Sequence, residues 1–114
     1  MARIRMTYAT ARVLQALDEG IRHGFDIAVA TGQRGGTVYP ILRRLEEDGL
    51  VVSSWEVAAI GRREGRPSRK YYRLLPPARA VVEEARERFP FPLRGGSAWQ
   101  PERARREDRF SVSG

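Results

Sequence analysis

The sequence has no cysteine, one histidine and one lysine, and these shortages exclude several classes of function. Without cysteine the chain can form neither disulfides nor thiolate metal sites. The single histidine, His23, stands without a cluster of metal-ligating side chains, so we interpret it as a structural residue near a helix start. We therefore predict no metal and no cofactor. An enzyme is the weakest interpretation, because no constellation of acid, base and nucleophile is present.

Long apolar runs are also lacking. No stretch approaches the roughly 18 apolar residues that cross a bilayer. Residues 1–5 are not followed by the apolar core of a signal peptide, so we expect the protein to stay in the cytoplasm. A chain of 114 residues is long enough for one domain with a buried core and too short for two.

Positive charge is abundant. The chain has 21 Lys and Arg residues against 14 Asp and Glu, a net charge of +7 and a pI near 10.9. Lys70 is the only lysine, and arginine favours bidentate contacts with phosphate or guanine, although a GC-rich coding sequence also enriches arginine. A polyanion is therefore the first partner to consider.

The segment 36–48 is predicted to be an amphipathic helix that reads DNA. Its apolar positions share one helical face, namely Val38, Ile41, Leu42 and Leu45. The opposite face carries Gly36, Pro40, Arg43, Arg44 and Glu47. Proline is tolerated in the first turn of a helix, which places the start near Gly36 or Thr37, and Gly49 is the matching stop. Free amides, a hydroxyl and two outward arginines suit a phosphate backbone beside a major groove. The alternative is an ordinary surface helix.

Two further helices are predicted before this one, over about residues 7–19 and 23–32. A connection of three residues, 33–35, then gives helix, tight turn and helix. DNA-binding proteins use this unit to place a second helix in the major groove, although it also occurs in proteins that touch no DNA.

After Gly49 the composition predicts two strands, over residues 50–57 and 69–75, with a turn-rich hairpin tip between them. From Arg62 to Arg73 six basic residues meet one acid, a local net charge of +5. Such a loop beside a recognition helix can follow the phosphates or enter the minor groove. The alternative is a solvated loop that serves solubility.

The last predicted helix spans residues 77–89. Its apolar stripe is Val81, Val82, Ala85 and Phe89. A helix this short is marginal alone, so the stripe must pack on the chain's own first helix or on a second copy. We interpret residues 90–114 as a flexible and passive tail; the alternative is that Trp99 anchors it to a surface.

Three linked motifs resemble the PadR-type winged-helix transcriptional regulators. They are His-Gly-Phe-Asp-Ile at 23–27, Gly-Thr-Val-Tyr-Pro at 36–40 running into Leu-Arg-Arg-Leu-Glu-Glu-Asp-Gly-Leu at 42–50, and Glu-Gly-Arg-Pro at 64–67 with Arg-Lys-Tyr-Tyr-Arg-Leu at 69–74. The resemblance implies an α+β, mainly α, winged helix-turn-helix with three helices, a two-stranded antiparallel wing and a carboxy-terminal helix. Residues 1–89 would form this domain, with 77–89 as the dimerisation helix.

The resemblance also implies a dimeric repressor that binds an inverted-repeat operator through helix 36–48 and the basic wing 61–70. Many family members respond to a small-molecule effector, and nothing in this sequence identifies one. By motif position, outward face and hairpin charge, the predicted DNA-contacting residues are Gly36, Thr37, Tyr39, Pro40, Arg43, Arg44, Arg66, Arg69 and Lys70. The predicted dimerisation residues are Val81, Val82, Ala85 and Phe89.

Two other functions stay open at this point. One is a winged-helix protein-interaction module whose basic surface binds an acidic protein. The other is a basic module that coats nucleic acid without reading its sequence. The sequence also departs from the family where Leu-Pro-Pro-Ala at 75–78 opens the last helix and where Arg34 and Gly35 replace a small polar cap.

Overall fold

The fold is described from a computed structural model that covers residues 5–90, 92 and 93. Nearly all of the predicted tail, with Trp99, lies outside these residues. The elements are α1 Tyr8–Asp18, α2 Gly24–Thr31, α3 Gly35–Glu47, β1 Val51–Trp55, α4 Ala58–Arg63, β2 Lys70–Leu74 and α5 Ala78–Arg88. The predicted fold class is confirmed, since the described residues are mainly helical and include a two-stranded antiparallel sheet. In this part of the chain no helix is long and apolar enough to cross a membrane.

Helix α1 lies at the centre of the domain. Residues 10–17 are buried without interruption, because α1 packs against α2, α3, α5 and β2. A helix enclosed in this way is expected to be apolar or to have bonded polar groups. Arg12 and Gln15 are the long polar side chains of the buried stretch, and both bond to α5 or to the residues after it.

The carboxy-terminal end of α5 is held by these two side chains. The Gln15 amide donates to the carbonyl oxygens of Ala85 and Phe89, at 3.1 and 2.9 Å. The Arg12 guanidinium donates to the Gln15 side-chain oxygen at 2.5 Å and to the carbonyl of Pro92. Helix α5 is therefore part of the same core as α1, although α5 is short.

The position of the α5 stripe corrects part of the predicted dimer surface. Val82 and Ala85 have no exposed area in a single chain, because they pack in the core with α1. They therefore present no surface to a second copy. Val81 and Phe89 are half-buried at the edge of the same core.

Helix α3 starts at Gly35, slightly earlier than the predicted start at Gly36 or Thr37. Pro40 consequently lies in the second turn, where its missing N–H removes the hydrogen bond that the Gly36 carbonyl would accept. The predicted stop is where it was expected, since Gly49 follows the cap residue Asp48 with a φ of 75°.

The sheet also holds the start of α2. The Tyr72 amide donates to the Arg22 carbonyl at 2.9 Å, and His23 forms an isolated β-bridge with Tyr71. The His23 ring lies 5.7 Å from that of Tyr71, and His23 caps the amino end of α2 with its backbone. His23 thus has a structural place at a helix start.

The wing, which we define as β1, β2 and the connecting residues 56–69, differs from the predicted hairpin. Instead of a turn-rich tip, the connection contains the short helix α4. Gly61 permits this arrangement, because a Cβ there would lie 2.7 Å from the Arg66 carbonyl oxygen and 3.1 Å from the Ser68 amide nitrogen. The Arg66 amide donates back to the Gly61 carbonyl at 2.9 Å. The returning chain therefore packs directly on α4.

A buried carboxylate holds the base of the wing. Glu56, only 3% exposed, accepts hydrogen bonds from both terminal nitrogens of Arg66 at 2.7 and 2.9 Å. The Arg69 amide and the Tyr71 hydroxyl also donate to it, each at 3.3 Å. These bonds, chiefly those from Arg66, lower the pKa of Glu56 below its ordinary 4.5, although burial alone would raise it.

Replacing Glu56 with glutamine should lower the free energy of unfolding by about 2 kcal/mol at neutral pH, since Arg66 loses its buried charged partner. Because folding depresses the pKa of Glu56, the carboxylate stabilises the fold above pH 4.5 and loses this contribution as the pH falls below that value. The difference in stability between wild type and Glu56→Gln should therefore shrink in acid. Urea unfolding across a pH series measures it.

Glu64→Gln is the matched control. The Glu64 side chain contacts the same guanidinium at 3.0 Å but is 44% exposed. Its loss should change the free energy of unfolding by less than about 0.5 kcal/mol. Equal losses in the two variants, or a Glu56→Gln difference that does not vary with pH, would contradict the assigned role of Glu56.

Candidate nucleic-acid interface

Helix α3 has a buried face and an exposed face. Val38, Leu42 and Leu45 have no exposed area. The predicted DNA-contacting residues of this helix are all exposed, namely Gly36, Thr37, Tyr39, Pro40, Arg43 and Arg44. The side chains that do not build the core are therefore gathered on one outward surface.

The first turn of α3 leaves backbone amides available. Its cap residue, Arg34, makes no side-chain hydrogen bond to the helix. The amides of Thr37 and Val38 donate to the Arg34 carbonyl, at 2.9 and 3.0 Å. Within residues 5–90, 92 and 93, the amides of Gly35 and Gly36 have no acceptor. Unpaired amides at a helix start favour an anion such as phosphate.

Tyr39 lies against two glycines. A Cβ at Gly24 would lie 2.5 Å from Cε1 and 2.9 Å from the hydroxyl oxygen of Tyr39, and one at Gly35 would lie 3.2 Å from Cε2. The ring thus occupies space that a side chain at residue 24 would take. Gly24, a residue of the motif at 23–27, sets the position of an outward side chain on α3.

A cleft of about 510 Å³ separates the start of α3 from the wing. It brings together four of the predicted residues, Tyr39, Arg66, Arg69 and Lys70. Its other walls are formed by His23, Gly24, Trp55, Pro67, Ser68 and Tyr72. The predicted recognition helix and the predicted basic wing therefore border one continuous surface.

The predicted wing cations differ in their surroundings. The Arg66 guanidinium is occupied by Glu56 and Glu64, and its side chain is only 18% exposed. Lys70 instead places its ammonium 5.7 Å from the ring centroid of Trp55 and 5.8 Å from that of Tyr72. Arg66 thus contributes mainly to the structure of the wing, whereas the charge of Lys70 faces the cleft.

Two aromatic residues of the cleft, Trp55 and Tyr72, were not among the predicted site residues. They share a sheet face, because Trp55 is opposite Lys70 and Ser53 is opposite Tyr72 in the strand register. Burial, with the negative charge of Glu46, raises the pKa of the Tyr72 hydroxyl. Strand alternation in the sequence puts residues 53 and 55 on one face of β1, and residues 70 and 72 on one face of β2. Whether these two faces coincide depends on the pairing register, which the sequence alone does not give.

Glu46 joins α3 to this sheet. Its carboxylate accepts a hydrogen bond of 2.6 Å from the Ser53 hydroxyl on β1. The acidic last turn of α3, which opposes the helix dipole, therefore has one fixed polar partner. This contact joins α3 directly to the wing.

Comparisons with known proteins match this architecture. The model of the Transcriptional regulator PadR-like family matches residues 13–84. The chain is 42% identical over 65 residues to the transcriptional regulator Rv3488 of Mycobacterium tuberculosis, a match that covers 57% of this chain and 50% of that protein. The chain thus spans about half the length of this curated relative.

Two solved structures are similar in fold. A PadR family transcription regulator from Clostridium difficile R20291 aligns with a TM-score of 0.60 and 23% identity, covering 75% of this chain and 90% of that one. Lactococcus lactis ZitR in complex with DNA aligns with a TM-score of 0.58 and 20% identity, covering 98% and 75%. The family match extends over more than half of the sequence and includes α2, α3 and the wing. The chain therefore belongs to the PadR-like family of transcriptional regulators.

Proposed function

We propose that this protein is a dimeric repressor that binds an inverted-repeat DNA operator. The observation that carries the proposal is the joint surface of α3 and the wing, where exposed residues of α3 border a cleft that also contains Lys70 and Arg69. A convex helix with free amides, a hydroxyl and two arginines matches the width and charge of a major groove. The ZitR complex with DNA, a similar fold, supports the same partner.

Each part of the surface has a proposed task. The amides of Gly35 and Gly36 and the Thr37 hydroxyl bind a backbone phosphate at the start of α3. Arg43 and Arg44, further along the exposed face, reach the base edges or the adjoining phosphates. The wing lies beside the groove and adds positive charge through Arg69 and Lys70, which line the cleft.

The dimer is proposed from surface that the core leaves available. Val81 and Phe89 are half-buried, and the Phe89 ring makes an edge-on contact of 5.6 Å with Tyr8, which is 43% exposed. These three side chains, rather than Val82 and Ala85, are the ones that a second copy can meet. A two-fold dimer of this kind requires two operator half-sites related by the same symmetry. Binding of a small-molecule effector at this interface would alter the spacing of the two α3 helices.

The test is binding of the full chain to a labelled fragment of its own upstream region, with random DNA of equal length as control. Selective binding is expected, with an affinity that falls steeply with salt. Sedimentation of the complex should give two protein chains per operator. Equal affinity for both DNAs would favour a nucleic-acid coat protein, and absence of binding would favour an acidic protein partner.

Replacing Arg43 with alanine should cost about 1 to 3 kcal/mol of binding free energy for the operator and relax base preference at one position, if the guanidinium reads a base edge. Fluorescence anisotropy with operator variants measures this. Arg79→Ala is a matched control, because Arg79 is exposed on α5 and pairs with Asp18 at 3.3 Å, away from α3. A uniform loss over all sequences would assign Arg43 to phosphate instead.

Gly24→Ala should weaken operator binding although residue 24 is buried behind α3. The added methyl group displaces the Tyr39 ring, which is 45% exposed and free to rotate away, so the fold should keep most of its stability. A double-mutant cycle tests this reason. When Tyr39 has already been replaced by alanine, Gly24→Ala should cause no further loss of affinity for the operator. Additive losses would show that Gly24 acts by another route.

A further inference from the structure

Trp55 is an exposed aromatic that the core does not need. Its side chain is 66% exposed, the highest value among the large hydrophobic residues in the described part of the chain. It lies at the end of β1, directly opposite Lys70 on β2, and lines the cleft beside α3. An indole in this position offers a large apolar surface to whatever enters the cleft.

Lys70 is held in place without being neutralised. Its ammonium lies over the rings of both Trp55 and Tyr72, at 5.7 and 5.8 Å. Among the described residues no carboxylate lies within ion-pair distance of it, whereas Arg66 is paired with two acids. A cation held by rings keeps its full charge for an incoming anion.

The wall of the cleft opposite Trp55 and Lys70 limits which molecules can bind there. It is formed by Tyr39 with Gly24 beneath it, one turn from the free amides of α3. An occupant therefore meets an apolar ring face, a cation and a phenol at once. A sugar-phosphate unit has this combination, since its deoxyribose is largely apolar and its phosphate is an anion. A small inorganic anion would leave the indole unused.

We propose that this cleft binds one unit of the DNA backbone, with the phosphate on Lys70 and the adjoining deoxyribose packed on Trp55. The inference rests on the proposed function and adds to it a sugar contact by Trp55, which was not among the predicted site residues. Because every nucleotide carries the same sugar and phosphate, this contact fixes the position of the protein on DNA and does not read its sequence. Tyr72 acts as a positioning residue that holds the Lys70 side chain from behind.

Substitutions of Trp55 and Lys70 should change DNA binding in different ways. Trp55→Ala should weaken binding about ten-fold for operator and random duplex alike, the scale of one aromatic surface returned to water, without changing the salt dependence. Lys70→Gln should reduce the slope of log affinity against log salt by about 0.9, the value of one phosphate contact. Val57→Ala is the control, since Val57 is exposed on the same wing but does not line the cleft.

Fluorescence gives a direct reading of the contact. Trp99→Phe leaves Trp55 as the only tryptophan, and its emission should change on titration with duplex DNA at the concentration where anisotropy reports binding. Thermal unfolding of Trp55→Ala checks that the fold is kept. If Trp55→Ala fails to fold, the emission of Trp99→Phe still shows whether DNA contacts Trp55.

The outcomes separate this inference from the proposed function. In one outcome the wild type binds the operator, Trp55→Ala binds as well as Val57→Ala, and the emission of Trp99→Phe does not change on adding DNA. This result overturns the cleft contact but not the proposed regulator function. If Trp55→Ala lost affinity only for single-stranded DNA, the sugar contact would be overturned and the indole would instead stack on bases. Wild type that binds no DNA overturns both.

Discussion

The ion pair between Glu56 and Arg66 is the interaction on which the shape of the outward surface depends. It closes the wing at its base, and it is supported there by the Tyr71 hydroxyl and the Arg69 amide. The residue after Arg69 is Lys70, so the same network sets where β2 begins and where the ammonium of Lys70 lies. A carboxylate buried in the wing is tolerated because four donors satisfy it. Without that charge Arg66, which lines the cleft, would lose its buried partner.

The opposite wall depends on a close approach between helices. Gly24 allows the Tyr39 ring to lie on the first turn of α2, and the Arg22 carbonyl bonds the Tyr72 amide of β2. The start of α2 is therefore fixed to α3 on one side and to the sheet on the other. With the Glu46 to Ser53 bond, α3 is connected to the wing both directly and through the start of α2. The surface proposed to meet DNA is thus organised before DNA arrives.

Local sequence patterns were sufficient to predict most of the helices and both strands. They failed for features that depend on contacts between residues distant in the sequence. Periodicity placed α1, α3 and both strands, and the family match confirms a regulator rather than an enzyme. Helix α4 was missed, because Gly61 reads as a turn residue until the packing of Arg66 on it is known. The complete burial of Val82 and Ala85 depends on α1, which is distant in sequence. Trp55 was missed because its place in the cleft depends on the strand register.

Charge counted along a sequence and charge presented at a surface are different quantities. Six basic residues and one acid between positions 62 and 73 predicted a basic wing, with Arg66, Arg69 and Lys70 as its DNA contacts. Glu56 lies before that stretch, yet it takes Arg66 out of the count by pairing with it. Lys70, by contrast, has aromatic neighbours that fix its position and leave its charge intact. Since salt dependence reports only the charges that reach phosphate, the wing should act on DNA through fewer cations than its composition suggests.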